Sequence, residues 1–472
     1  MVPENMMNTT VQPVEAFSWN QACAIPFSAD LDAQRAIDGI GRTEDVHFSP
    51  DNRRLALVGH LDNRLLVLGV RLAGDGATPR IHLHSPQEIL SDAFAYPHGV
   101  FWINDETLIV ANRQGDAPIL RVPPASPVTD ALSLEPLVRL CTDGPDGMVH
   151  TPGSVSVAVL DGGWLEVLLC NNYAHHVSQH LLDARNGYEA LAGSRLLADG
   201  LDIPDGVAQS RDQRWIAVSN HNEHCVLVYE NTATLGPSCP PAAVLRGMNY
   251  PHGLRWTRDG QFLLVADAGL PFVHVFQCGG GGWQGECHPI QTLRVLDEQR
   301  FRRGQYNPQE GGPKGIDLSA DDRVLVTTTQ EQALAFFDLE PVLGPARRAG
   351  ADADRPATTA PTLARHVQGQ ARTLNILAEC RQQERTRHEQ ERARYEQECA
   401  RHEAALVATS LALEQAQRLV AERLSEIETL RSVVDQQQRH IQQVANSHSW
   451  RLTAPYRLLR QRLRDLFPGM AG

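Results

Sequence analysis

The fold class this sequence predicts is all-β, with a C-terminal α-helical extension, on three observations. One pattern recurs six times, beginning at Thr43-Glu44-Asp45, Pro97-His98-Gly99, Pro152-Gly153-Ser154, Pro204-Asp205-Gly206, Pro251-His252-Gly253 and Pro313-Lys314-Gly315. The intervals of 54, 55, 52, 47 and 62 residues suit one propeller blade each. Within a copy, short apolar runs are separated by Asp-, Asn- or Gly-bearing turns, as in the stretch from Tyr250 to Phe276, which is hairpin grammar. From about residue 363 to 445 the chain has no Pro and one Gly, and Glu, Arg, Gln, Ala and Leu dominate, all good helix formers. Together these predict a six-bladed β-propeller followed by a coiled coil.

The elements follow in chain order. Residues 1–41 form an N-terminal segment whose stretch from Ala22 to Phe27 is expected to supply the missing outer strand of the last copy and so close the ring. Residues 42–340 are the propeller, four of the six copies opening on a Pro-x-Gly turn. The next turn in each copy carries Asp51-Asn52, Asn104-Asp105, Asp161-Gly162, Asp212, Asp259-Gly260 or Asp321-Asp322, residue types suited to tight-turn geometry. Fourth strands are expected around Ile81 to His84, Leu137 to Cys141 and Ile290 to Val295. Residues 341–362 have the Pro/Ala/Thr bias of a semi-flexible linker. In 363–446, Leu424, Ile427, Leu430, Val434, Gln437, Ile441 and Val444 step by three or four, the seam of an oligomerising coiled coil. Residues 447–472 are a basic amphipathic tail, on which Pro455 starts a helix with Tyr456, Leu459, Leu463, Leu466 and Phe467 along one face and Arg457, Arg460 and Arg464 beside it.

Charge and composition narrow the partners. The net charge is −13, but the chain from Arg451 onward carries +4 and 363–446 is neutral, leaving −17 for the remainder. An acidic propeller excludes nucleic acid as an expected partner. The N-terminus has neither a basic start nor an apolar run, which points to the cytoplasm, peripheral to the inner face of the cell membrane if the tail binds lipid. Nine scattered cysteines, among them Cys170 and Cys225 in strand-like runs, are expected to be reduced.

The expected functional surface is one mouth of the central channel. The middle residue of each opening triplet lines it: Glu44, His98, Gly153, Asp205, His252 and Lys314. Turns after the second strands add His60, Asn112, Asn171, Asn172, His175, Asn220, His221 and Asp267. Glu44, His98, Asp205 and His252 are candidate ligands for one divalent metal, since neutral imidazole and carboxylate are ordinary donors to zinc and its neighbours. Lys314, the sole lysine among 43 cationic residues, is the alternative occupant of that cationic position, or the partner of an anionic ligand. Gly280-x-Gly282-x-x-Gly285 spells a dinucleotide fingerprint but joins strands rather than opening a helix, so it carries no nucleotide reading. His221 and His224 stand three apart on a turn, a spacing that implies no convergence there.

Two resemblances follow from these residues. The repeats resemble NHL and YVTN-type propellers and, more distantly, gluconolactonase-like enzymes, whose metal is held by Glu, Asn and Asp at the inner-strand position. Glu44 and Asp205 match in type; the Asn ligands are unmatched. His98 and His252 are similar to the metal-binding histidines of the zinc-dependent peptide-amidating lyase propeller. Separately, Ser447, Ser449, Trp450, Arg451, Leu452, Thr453, Pro455, Tyr456 and Arg457 resemble the Ser-x-Ser-Trp-Arg-Leu-Thr-x-Pro tail that follows coiled coils in bacterial glycosyltransferases of surface polysaccharide synthesis. The first resemblance implies a metal-dependent lactonase- or lyase-like site at the channel mouth. The second implies a binding scaffold beside polysaccharide-synthesis enzymes, with Trp450, Arg451, Tyr456, Arg457, Leu459, Arg460, Leu463 and Phe467 contacting a partner or an anionic membrane.

Overall fold

A computed structural model describes residues 23–344 and 415–466, apart from 75–77, 126–130, 142–147, 280–281 and 306–308, with isolated positions between 397 and 413. The chain divides into two units, Met1–Glu384 and Arg385–Gly472.

The first unit is a six-bladed β-propeller. Its inner strands are Thr43–Phe48, Pro97–Trp102, Pro152–Val159, Pro204–Gln209, Pro251–Trp256 and Ile316–Leu318. Each starts an antiparallel meander of strands. Both faces of a blade are covered by neighbouring blades, so the second and third strands read as nearly continuous apolar runs. The period of two still decides where each residue goes. Leu55, Leu57, Leu66 and Leu68 pack toward blade six, whereas Ala56, Val58, Leu65 and Val67 pack toward blade two. Among the described residues the buried apolar side chains form six clusters, one at each blade interface.

Ring closure uses the N-terminal segment. Ala24–Ile25 pairs antiparallel with Ala335–Asp338, the third strand of blade six, in register Ala24↔Phe337. The strand then changes partner: Phe27–Ala29 pairs parallel with the outer strand of blade one, Arg80–Leu90. One short segment thus ties the last blade to the first. The expected fourth strands are present as parts of Arg80–Leu90, Val138–Leu140 and Gln291–Arg294.

Several details differ from the sequence reading. Pro-x-Gly is not a turn. In blades two to five the triplet begins the inner strand itself, and the pairing shifts register between Pro97 and Gly99, Pro152 and Ser154, Pro204 and Gly206, and Pro251 and Leu254, whereas in blade six Pro313-Lys314-Gly315 directly precedes the strand Ile316–Leu318. The middle residue of the triplet is therefore the extra residue of a β-bulge. The Gly-rich segment after Gln277 does not stay within blade five, because Gly285–Cys287 adds a parallel fifth strand to blade four at Ala243–Leu245. Cys278 and Cys287 are free thiols. Residues 340–344 are helical, with Val342 and Leu343 buried in the cluster between blades five and six, so the start of the expected linker packs with the propeller.

In the second unit, residues 415–446 are helical, and Leu424, Ile427, Leu430, Val434, Ile441 and Val444 are all exposed along them. The helix ends at Ser447, whose Oγ accepts from Trp450 N at 3.3 Å to cap a short helix, His448–Leu452. A second, Ala454–Leu466, follows after Thr453. The Arg457 guanidinium lies 3.6 Å from the centroid of the Trp450 ring and donates to Thr453 Oγ1 at 2.5 Å. Conserving the joint between the two helices is therefore a local task for Ser447, Trp450, Thr453 and Arg457. Phe467 lies outside the described residues, as do most of 363–414.

Candidate functional site

The bulge re-aims the middle residue of each triplet, and the next blade holds it there. Gly253 N donates to Lys314 O at 2.9 Å, and a Cβ on Gly253 would stand 2.5 Å from that oxygen. Gly206 is pressed against the His252 carbonyl in the same way. Only glycine permits this approach of adjacent inner strands. In blade three the middle residue is itself glycine, Gly153, because the Arg113 and Asn172 side chains fill the space a Cβ would need.

Glu44, His98, Asp205, His252 and Lys314 come together at the channel mouth, all buried. Lys314 Nζ lies 3.0 Å from Glu44 Oε2 and 2.9 Å from Glu310 Oε2. His98 Nε2 is 3.4 Å from Glu44 Oε2 and 3.1 Å from Arg113 Nη2, while its Nδ1 is 2.6 Å from Gly153 O. The His98 and His252 rings stack at 5.2 Å and 24°. Asp205 collects Arg113 at 3.1 Å, His252 Nε2 at 3.3 Å, His221 Nδ1 at 3.8 Å and the Asn172 amide. His221 Nε2 reaches Glu310 Oε1 at 3.6 Å, and Arg42 pairs with Glu44 at the edge.

Charges in this cluster are held in fixed states. Burial alone would raise the Glu44 carboxyl, but Lys314, then His98, Arg42 and His252, outweigh it and keep the group well below the usual carboxylate range. Burial opposes ionisation of Asp205 too, and Arg113, followed by three histidines, holds it well below its ordinary value. Glu310 is likewise lowered, with Lys314 overcoming burial. His98 is pushed well below its ordinary value by burial and then Arg113, and His252 is lowered mainly by burial. At neutral pH the mouth therefore presents three carboxylates, two buried cations and two neutral imidazoles.

Two sets of donors could hold a cation: Glu44, His98 and His252, and Asp205, His221 and Glu310, with ligand atoms in each set within 4.8 Å of one another. In the first set Glu44 Oε2 and His252 Nε2 are buried without an aligned hydrogen-bond partner. Those residues fit a divalent ion, although Lys314 already contacts Glu44 and Arg113 already contacts His98. Cys170 is no nucleophile, since burial first and Asp205 second push its thiol well above the ordinary value.

The four residues expected from the second-strand ends have a different place. Asn112, Asn171, Asn220 and Asp267 accept the backbone N–H of Ala95, His150, Asp202 and Asn249, each two residues before its blade's proline, at 2.5–3.1 Å. Their remaining polar atoms are also committed: Asn112 to Ala93 O and Asp116 O, Asn171 to Leu169 O and Ser178 Oγ, Asn220 to Gly200 O, and Asp267 to Gly269 N and His274. They latch the loop that delivers the bulge, because a buried loop needs partners for its N–H groups. They position the site and do not line it. His175 is a clasp of another kind, accepting from Ile203 N at 3.1 Å in the next blade, as His224 does from Tyr250 N at 3.2 Å. The pair His221 and His224 thus divides between the mouth and the clasp.

Arg113 and Glu310 are the members that sequence reasoning missed. Arg113 directly follows the strand-ending Asn112 and looks like a surface turn residue. Glu310 comes from the longest interval, 62 residues, which inserts the helix Glu298–Gly304 between blades five and six. That excess length was the available signal.

This arrangement defines a β-propeller with a buried polar cluster at one channel mouth. Residues 11–167, about a third of the chain, match the family model for the lipoprotein LpqB β-propeller domain. No curated protein matches the chain. Among solved structures, the chain is similar to that of a functionally unknown protein from Desulfotomaculum acetoxidans DSM 771, at 14% identity and a TM-score of 0.39, covering 61% of this chain and 79% of that one.

Proposed function

We propose that this protein is a binding head: a propeller scaffold that recognises its ligand at the channel mouth, oligomerises through its helical stalk and is placed by its basic tail beside surface-polysaccharide synthesis enzymes or an anionic membrane on the cytoplasmic side. One observation carries the reading of the mouth. Arg113 Nη1 and Asn172 Oδ1 are buried there without a hydrogen-bond partner, and Glu44 Oε2 and His252 Nε2 are held only by ion-pair contacts, to Lys314 Nζ at 3.0 Å and to Asp205 Oδ2 at 3.3 Å. Leaving such an atom unpaired costs about 1–3 kcal/mol, so their concentration at one point marks where a bound molecule completes the network. Both donors and acceptors are on offer, as a small polar ligand requires. The tail's resemblance to polysaccharide-synthesis glycosyltransferases supports the setting, and the exposed seam from Leu424 to Val444 supports the oligomer.

A second reading, a metal-dependent lactonase- or lyase-like enzyme of the NHL and gluconolactonase-like kind, is favoured by the neutral imidazoles beside Glu44. A divalent ion held by Glu44, His98 and His252 would polarise a substrate carbonyl. Against it, Lys314 already supplies a cation at Glu44. Elemental analysis of untagged protein, purified without added metal, separates the two. The binding-head reading expects far less than one equivalent, before and after incubation with zinc, calcium or manganese. Near one equivalent, lost in the His98→Ala, His252→Ala double variant, would overturn it in favour of the enzyme.

A further inference from the structure

At their far ends, opposite the polar cluster just described, the inner strands surround a cavity of about 490 Å³. Glu44, His98, Asp205 and His252 stand second in their strands, whereas Phe101, Arg255 and Leu318 of the cavity lining stand last or next to last. The two sites share no residue, and the volume lies within the roughly 300–1,000 Å³ usual for small-molecule sites.

Charge on the lining is uneven. Arg211, Arg255 and Arg258 stand against Asp317 and Asp322, while His47, lowered by burial to about 4, is neutral at pH 7. Arg255 is already matched, since its Nε donates to Asp317 Oδ1 at 3.0 Å, and Asp317 Oδ2 accepts from Phe48 N at 2.7 Å. Asp322 accepts the backbone N–H of Arg258 with both oxygens, at 3.0 and 2.9 Å. The side chains of Arg211 and Arg258 are different: both residues are exposed, and among the described residues neither guanidinium forms an ion pair. Arg258 Nη1 donates to Ala320 O at 3.2 Å, another residue of the lining, which holds that side chain along the wall. The aspartates next to these arginines in sequence are engaged within their own turns. Asp212 Oδ1 accepts from Ser210 Oγ at 2.6 Å and Arg214 N at 3.1 Å, and Asp259 Oδ1 from Thr257 Oγ1 at 2.7 Å and Gln261 N at 3.0 Å. Two guanidinium groups on one cavity, each without a carboxylate, suit a ligand that brings an oxyanion, the group Arg pairs with bidentately. The rest of the accessible wall is largely apolar: Val159 is 62% exposed, and Phe101 and Leu318 are partly exposed. An apolar wall beside a few orienting polar groups is the usual make-up of a small-molecule site.

We infer that this second mouth binds a small organic anion, a carboxylate or phosphate carried on an apolar body. The inference stands apart from the reading of the first mouth, since neither site's residues enter the other. Calorimetry on the full chain tests it, with phenylacetate, phenyl phosphate, the uncharged phenylacetamide, acetate and inorganic phosphate as probes at up to about 50 mM. Phenylacetate or phenyl phosphate is expected to bind about tenfold or more tighter than phenylacetamide, the discrimination one charge-assisted pair supplies. The tighter of the two identifies the head group as carboxylate or phosphate. Acetate and inorganic phosphate, which lack the ring, are expected to bind more weakly than their phenyl counterparts. The Arg211→Gln, Arg258→Gln double variant alters only exposed side chains, and, once shown to fold by circular dichroism, is expected to lose the preference for the anion. Phenylacetamide binding as tightly as both phenyl anions, or no binding by either anion, would overturn the inference. So would acetate and inorganic phosphate binding as tightly as their phenyl counterparts. An unchanged preference in the folded double variant would also overturn it, by moving the anion to Lys314 and Arg113 at the first mouth.

Discussion

Asp45 and His47 stand two residues apart on the inner strand of blade one and titrate in opposite senses. Burial raises Asp45 from 3.8 to about 6, against Arg255 and two backbone N–H groups, and burial lowers His47 from 6.5 to about 4, against Asp317. Between pH 3.8 and 6 the folded chain keeps the Asp45 proton that the unfolded chain releases, so stability falls as pH rises. Between pH 4 and 6.5 the unfolded chain binds a proton at His47 that the folded chain does not, so stability rises. Each effect is on the order of 3 kcal/mol, and in the native protein they largely cancel. Asp45→Asn removes only the first. Urea unfolding of both proteins across this range is expected to show the variant gaining about 3 kcal/mol on the native protein between pH 4 and 6.5; a difference independent of pH would refute the buried neutral Asp45. At this scale the sequence disclosed residue types by position: Glu44, His98, Asp205, His252 and Lys314 do converge. It did not disclose which polar residues are consumed by backbone, because Asn112 and Arg113 are neighbours whose roles differ only through the loop folded against them.

At the scale of elements, the blade interface explains why the triplet ends in glycine. Adjacent inner strands approach so closely that Gly253 donates to the Lys314 carbonyl, and a methyl group there would displace the strand carrying Lys314. Gly253→Ala is therefore expected to cost about 1–3 kcal/mol, the range for overpacking a close-fitted interior, with the loss read by thermal or urea unfolding. Gly236→Ala is the control, its Cβ meeting only Thr234 O at 4.0 Å, and equal effects at the two positions would discard the explanation. The repeat period made the blades legible, and the period of two within each strand made their two buried faces legible. Pro and Gly in one triplet read as a turn because both are turn formers; what makes it a bulge is the second strand pairing on either side of it, a tertiary fact. The partner change at Phe27, the strand Leu132–Ser133 that pairs parallel with the outer strand of blade one, and the fifth strand of blade four were illegible for a related reason. They are two- and three-residue pieces whose only specification is an open strand edge nearby.

On the scale of the whole molecule, charge is segregated along the chain: −17 outside the stalk and tail, zero across 363–446, and +4 from Arg451 onward. The tail helix Ala454–Leu466 exposes Tyr456, Leu459 and Leu463 along with Arg460, Arg462 and Arg464. At about 1 kcal/mol per basic residue near anionic lipid, one tail contributes only on the order of 4 kcal/mol, a weak anchor. In the proposed oligomer, two tails joined by one stalk would bind as a unit, and effective concentration would strengthen the attachment by roughly a hundredfold or more. Membrane attachment should then depend on a helix that touches no lipid. Ile427→Asp with Leu430→Asp places charge on the exposed seam, and sedimentation equilibrium is expected to change from an oligomer to a monomer. Co-sedimentation of that variant with vesicles containing phosphatidylserine is expected to fall at least tenfold, although its tail is intact. Deletion of 447–472 should abolish co-sedimentation while leaving the oligomer. Vesicle binding that survives the seam variant undiminished would show that the tail acts singly, and a native protein that sediments as a monomer would remove the stalk's role altogether.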